Sequence, residues 1–221
     1  MSRPGAPVFL FVANAPWLDF IATELREGAH RVELLRTFDD LVAWSRTAGL
    51  VDDATADAIT REMDDPIGRT AALADALALR GELRGVANAV TSRRRLAPEG
   101  LRLVNRLLQE HPIRLALERK DGRWRVASQA TKRGASVILA KIAEDAARFL
   151  AEADLSLVKH CANVGCGVAF YDTSKNHRRR WCSMQYCGNR AKAALHRARA
   201  RRTKKSPTRR RRKDNPLKAH I

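Results

Sequence analysis

Hydrophobic positions recur at helical spacing through most of the first 150 residues. Phe38–Ala48 places Leu41, Trp44, Ser45 and Ala48 on one face, with Thr37 as an N-cap and Gly49-Leu50 as a stop. A second helix is expected from Asp53 to Met63. A longer one is expected from Ile67 to Val90, where Leu73, Leu77, Leu83, Val86 and Val90 keep the period. Gly81 and Gly85 fall inside it and predict a kink or a close helix packing. Pro98 suits the first turn of another helix, with Leu101, Val104, Asn105 and Leu108 on its apolar side, ended by His111-Pro112. The period then falls to two. Ile113, Leu115 and Leu117 alternate with polar or small residues, Asp121-Gly122 supplies a turn, and Trp124 and Val126 alternate on the return, which predicts a β-hairpin over Pro112–Ala127. From Ala135 to Ala153 the spacing is helical again, with Ile138, Ile142, Ala146, Phe149 and Leu150 in line. The expected fold of residues 1–157 is mainly α with a small β-hairpin, an α+β domain.

Composition sharpens this division. The chain has 221 residues, and its 45% hydrophobic content is enough to build a core in at least part of it. Its net charge of +18 is unevenly placed. Residues 1–158 hold 23 basic and 22 acidic side chains, whereas residues 159–221 hold 19 basic and 2 acidic, a net of +17. A near-neutral body joined to a strongly basic end is the asymmetry expected of a segment that binds a polyanion. Within the basic end, residues 203–221 carry the run Arg209–Lys213, two prolines and three apolar residues, Leu217, Ala219 and Ile221. A disordered basic tail is expected there, attracting nucleic acid at long range with little sequence choice. The longest apolar run, the six residues Val8–Ala13, is too short for a membrane helix and lacks the flanks of a signal peptide. The expectation is a soluble cytoplasmic, nucleoid-associated protein with no membrane partner. In the body, Asp19, Asp52, Asp53, Asp64 and Asp65 read as helix caps and first-turn carboxylates, and Arg93, Arg94 and Arg95 as a solvated loop.

All four cysteines lie in the basic end, as Cys161-x4-Cys166 and Cys182-x4-Cys187 separated by fifteen residues. In a reducing compartment, two close pairs with no cysteine left over are zinc ligands rather than disulfides. His160 and His177 are alternative ligands, but four thiolates already complete a closed structural site for one Zn²⁺. After Cys187 the alanine-rich run Gly188–Arg199 is strongly helix-forming, which sets the second pair at a helix N-terminus. Residues 158–202 are therefore expected to form a small treble-clef-like zinc finger of hairpin plus helix. Arg178, Arg179, Arg180 and Trp181 precede a ligand, and Arg190, Lys192, Arg197, Arg199 and Arg201 project from the helix. These are the candidate nucleic-acid contacts. Asp172 is expected to orient an arginine.

Phe170-x-Asp172-x-Ser174, Arg179-Arg180-Trp181-Cys182-Ser183-Met184 and Cys187-Gly188-Asn189-Arg190-x-Lys192 resemble the CGNR zinc-finger family. Its members carry an N-terminal ABATE domain and are described as stress-induced transcription regulators. Residues 17–157 are similar to that domain, beginning with Trp17-Leu18-Asp19-Phe20-Ile21-Ala22-Thr23, where Ala22 stands in place of an asparagine. The resemblance implies zinc on Cys161, Cys166, Cys182 and Cys187 and DNA binding through the finger. It names no ligand for the body, which is expected to sense a small-molecule effector or to form a homodimer. An RNA- or ribosome-associated protein is the alternative of the same charge class. A zinc-finger nuclease using Asn176 and His177 is the weaker one, because no acidic cluster accompanies them to hold Mg²⁺. No enzymatic activity is expected.

Overall fold

The computed structural model describes residues 7–27, 30–92, 98–131 and 133–205, of which 27, 128–130 and 198–205 by backbone alone. Arg93–Arg95 and the tail beyond Lys205 lie outside the described residues. The body runs α1 (Pro16–Ile21), β1 (Glu24–Glu27), β2 (His30–Glu33), α2 (Phe38–Thr47), α3 (Asp53–Glu62), α4 (Pro66–Thr91), α5 (Pro98–Glu110), β3 (Ile113–Lys120), β4 (Arg123–Ala130) and α6 (Ser136–Glu152). The basic end adds β5 (Val158–His160), β6 (Ala169–Tyr171) and α7 (Asn189–Lys205). Among the described residues each strand pairs antiparallel with its neighbour in sequence, giving three separate two-stranded sheets. The chain is thus an α+β domain followed by a hairpin-and-helix finger. Among the described residues, no helix is long and apolar enough to cross a membrane.

The caps explain where the body helices start. Thr37 and Asp40 form a reciprocal capping box on α2, with Asp40 N donating to Thr37 Oγ1 at 3.1 Å and Thr37 N to Asp40 Oδ2 at 2.9 Å. Asp52 caps α3 by accepting from Thr55 N, and Asp65 caps α4 by accepting from Ile67 N and Gly68 N, with Pro66 at the first position. The long helix α4 is continuous over 26 residues. Gly81 and Gly85 neither interrupt it nor mark close packing, since both are exposed and a Cβ at either would meet nothing within 4 Å. In α5 the buried side is Val104 and Leu107, whereas Leu101 and Asn105 face outward, so the apolar stripe is rotated from the one expected.

Two features of the N-terminal part give little periodic signal. The helix α1 is short, and β1 and β2 are built from Glu-Leu-Arg-Glu and His-Arg-Val-Glu. Buried ion pairing holds that hairpin to α4: Arg80, 4% exposed, donates through Nη1 to Thr23 Oγ1 at 2.8 Å and Glu33 Oε1 at 2.7 Å, and through Nη2 to Glu33 Oε2. Arg84 adds a bond to Glu24 at 3.0 Å. Burial would raise the Glu33 carboxyl, but Arg80, the Leu35 amide and Arg84 together outweigh it and hold it below the ordinary range.

The core gathers Trp17, Phe20 and Trp44 around Leu41, Leu83, Ile138 and Ile142. It continues into the finger, because Phe170 and all four cysteines belong to the same buried cluster. Tyr171 N donates to Ala13 O at 2.8 Å, and Asn14 Nδ2 donates to Tyr171 O and Thr173 Oγ1 at 3.0 Å each. Tyr171 also meets Phe149 of α6 edge-on at 5.0 Å. The segment before α1 thereby fastens the finger to the body.

Candidate metal centre and nucleic-acid interface

The first cysteine pair sits in the connection between β5 and β6. Cys161 N donates to Val168 O at 2.9 Å and Cys166 N to Asn163 O at 2.8 Å, which folds the four intervening residues into a knuckle. The second pair lies just before α7, where Ser183 caps a wide single turn, Met184–Gly188, that contains Cys187. Ala162 N donates to Arg180 O at 2.8 Å and joins the two halves.

All four Sγ atoms lie within 4.8 Å of one another and are buried. Cys182 Sγ is 3.6 Å from both Cys166 Sγ and Cys187 Sγ. Four thiolates at about 2.3 Å around a tetrahedral zinc ion stand about 3.8 Å apart, so the donor set fits that ion. Hydrogen bonding from Cys182 lowers Cys166 to about 5, while that same contact, with burial, pushes Cys182 far up, and burial raises Cys187 to about 11. Crowded thiols obstruct one another's ionisation, and a central dication removes the obstruction. Asn163 Nδ2 lies 3.5 Å from Cys187 Sγ, positioned to donate to it. Neither histidine belongs to the donor group: His160 Nε2 lies 2.8 Å from Thr91 Oγ1, and His177 Nδ1 lies 3.2 Å from Asp172 O.

The residues between the pairs are wired around Asp172, which is fully buried. Its Oδ2 accepts from Lys159 Nζ at 2.6 Å and Arg179 N at 2.9 Å, and its Oδ1 accepts from Ser174 N at 3.0 Å and Ser174 Oγ at 2.6 Å. Burial alone would raise this carboxyl, but Lys159 and the other donors hold it well below the usual range. Asp172 thus orients the arginine segment through the Arg179 backbone.

The three consecutive arginines have different surroundings. Arg179 turns inward: its guanidinium lies 4.4 Å over the Phe170 ring, Nε donates to Trp181 O at 3.0 Å, and Nη2 donates to Val12 O at 2.5 Å and to Cys182 O. These bonds give Arg179 a structural role in the finger in addition to its place on the cleft wall. Arg178 and Arg180 are exposed, and Arg180 lies 4.7 Å over the Trp181 ring. Trp181 is half-buried and closes on Gly188, where a Cβ would overlap Met184 Sδ and come within 2.5 Å of Trp181 Cδ1. That crowding is why glycine follows Cys187. Arg190, Lys192 and Arg197 are exposed on α7. Arg199 and Arg201 continue that helix, their side chains lying outside the described residues. Sequence reasoning missed Lys159 and weighed His160 only as an alternative zinc ligand, whereas both join Arg178 and Arg180 around a cleft beside the end of α4. Lys159 lies on a short strand outside the arginine run, and His160 was legible only through its place beside Cys161.

Comparison with known families accords with this geometry. Residues 14–153 match the ABATE family, described as "Putative stress-induced transcription regulator", and residues 158–200 match the CGNR zinc finger. No curated protein matches the chain. The four clustered cysteines of the CGNR finger hold one structural zinc ion. With its larger match spanning residues 14–153 and the finger directly after it, the chain belongs to the ABATE family and carries a CGNR zinc finger at its basic end.

Proposed function

We propose that this protein is a DNA-binding transcription regulator whose finger and basic end dock on duplex DNA, while the ABATE domain receives the signal. The observation that carries the reading is the cleft between the end of α4 and the finger. It has a volume of about 590 Å³, is bordered by Lys159, His160, Arg178, Arg179 and Arg180, and has no carboxylate among its described lining residues. Lys159 and Arg179 hold the wall together through their internal bonds, which leaves Arg178 and Arg180 as the cations for phosphate. Trp181 positions Arg180 rather than offering its own face to a base. Arg190, Lys192 and Arg197 extend the positive surface along α7, and the net +17 of residues 159–221 supplies long-range attraction. The family description adds stress as the input and transcription as the output.

The test is fluorescence anisotropy of the full chain with duplex DNA and with structured RNA at matched salt. The expected result is tighter binding to the duplex, weakening steeply with salt, and several-fold further loss in Arg178→Ala/Arg180→Ala. Preference for structured RNA would replace the reading with an RNA-binding one, and absence of binding to either would overturn it. Mapping genomic occupancy then tests the regulatory half, which requires enrichment at promoters.

A further inference from the structure

β3 and β4 form a ribbon of two eight-residue strands in which Leu117 pairs with Val126 and Arg119 with Trp124. Paired residues share a face, so Leu115, Leu117, Trp124 and Val126 lie together on one side. They are 63%, 66%, 67% and 67% exposed, respectively. Of the half-buried ribbon positions, Ala116, Glu118 and Ala127 are on the opposite side, and Ile113, at the base of the ribbon, is on the apolar one. The ribbon therefore turns small and polar residues to the body and large apolar ones to water, the reverse of the alternation that a sheet packed on a core shows. Two strands alone are marginally stable in water, and a soluble monomer seldom leaves such a continuous apolar row uncovered.

We propose that this face is an interface with a second copy of the chain, ribbon packed on ribbon about a twofold axis. A twofold contact requires one self-complementary surface, and a row of four apolar side chains with no carboxylate is one. The single cation on this face, Arg119, lies at the turn end, so antiparallel stacking keeps the two copies of it apart. The four exposed side chains present on the order of 500 Å² per chain, and pairing two such faces buries about 1,000 Å², the lower bound for a specific interface. The ribbon precedes α6 and the finger follows it. The 17 residues of α6 span about 25 Å between the two. This inference does not rest on nucleic-acid binding, since the dimer forms from the protein alone.

The test is light scattering behind size exclusion, across low to high micromolar full-length protein with zinc bound and no nucleic acid. The wild-type chain is expected to show twice the single-chain mass. Leu117→Glu and Trp124→Glu should each raise the dimer Kd by about tenfold or more, while Arg123→Glu on the opposite face should not change it. Circular dichroism and zinc content of the variants should match wild type. A wild-type chain that stays monomeric would overturn the proposal, as would a dimer indifferent to both substitutions. Loss of helicity in both variants would also overturn it, because those side chains would then serve the fold of the single chain.

Discussion

Arg179 and Arg180 are neighbours in a run of like residues, yet one is internal and the other faces water. Arg179→Ala removes side-chain bonds to Val12, Trp181 and Cys182 and the stacking on Phe170. It should lower stability by about 2–4 kcal/mol in denaturant titration, while Arg180→Ala stays within about 0.5 kcal/mol. The periodicity of an arginine run cannot reveal this difference, which arises because Asp172 fixes the Arg179 backbone and thereby aims its side chain inward. Asp19 presents the opposite electrostatic case. Burial raises its carboxyl to about 6, against the lowering effect of the Val12 and Ala13 amides, which both donate to Oδ1 at 2.8 Å; Asp145 also raises it and Arg179 lowers it. A carboxyl raised in the folded state favours folding most below its unfolded pKa, and that contribution is lost as pH rises through about 6. Asp19→Asn keeps an Oδ1 acceptor and carries no charge. Its unfolding free energy relative to wild type should therefore improve by about 2–3 kcal/mol between about pH 4 and about pH 7.5, measured by urea titration at each pH. An unchanged difference would contradict the raised carboxyl.

At the scale of elements, the family motif is mostly structural wiring for the finger. Phe170 lies under Arg179, Ser174 holds Asp172, Ser183 caps the turn that carries Cys187, and Gly188 admits Trp181. Gly188→Ala should distort that turn and weaken zinc retention at least tenfold, measured by competition with a chromophoric chelator; retention equal to wild type would show that Trp181 and Met184 yield easily. The glycines of α4 behave differently, since Gly85 is exposed and has open space beside it. Gly85→Ala should stabilise the protein by about 0.5–1 kcal/mol through helix propensity, read as a raised melting temperature. Destabilisation would mean that the helix needs flexibility at that point.

At the scale of the whole molecule, zinc is coupled to the body through residues 12–14. Arg179 bridges Cys182 O to Val12 O, and Tyr171 N bonds Ala13 O. Removing zinc by chelation should therefore speed amide exchange at Tyr171 and Val12 as well as at the cysteine loops, while α2, α3 and most of α4 stay protected. Hydrogen exchange followed by mass spectrometry measures this. Protection of Tyr171 unaffected by chelation would show that the body holds that strand without the metal.

The body helices from α2 onward, the Asp121-Gly122 turn and the cysteine quartet could be read from the chain because each depends on local chemistry. A 3.6-residue apolar period, a capping Thr37 or Asp65, left-handed φ values of 52° and 77° at Asp121 and Gly122, and two close cysteine pairs are short-range features. The charge asymmetry was equally legible, since composition alone carries it. Tertiary structure decided the rest, because those outcomes depend on partners remote in sequence. The β1–β2 hairpin has almost no apolar signal and is held by Arg80, 47 residues beyond Glu33. Alternation in β3 and β4 specified a two-faced ribbon but not which face meets the body, and the packing turned the large apolar face outward. Which arginine points inward was settled by a fully buried aspartate and by carbonyls from the finger and from a segment 167 residues away, a geometry that exists only once the finger has docked.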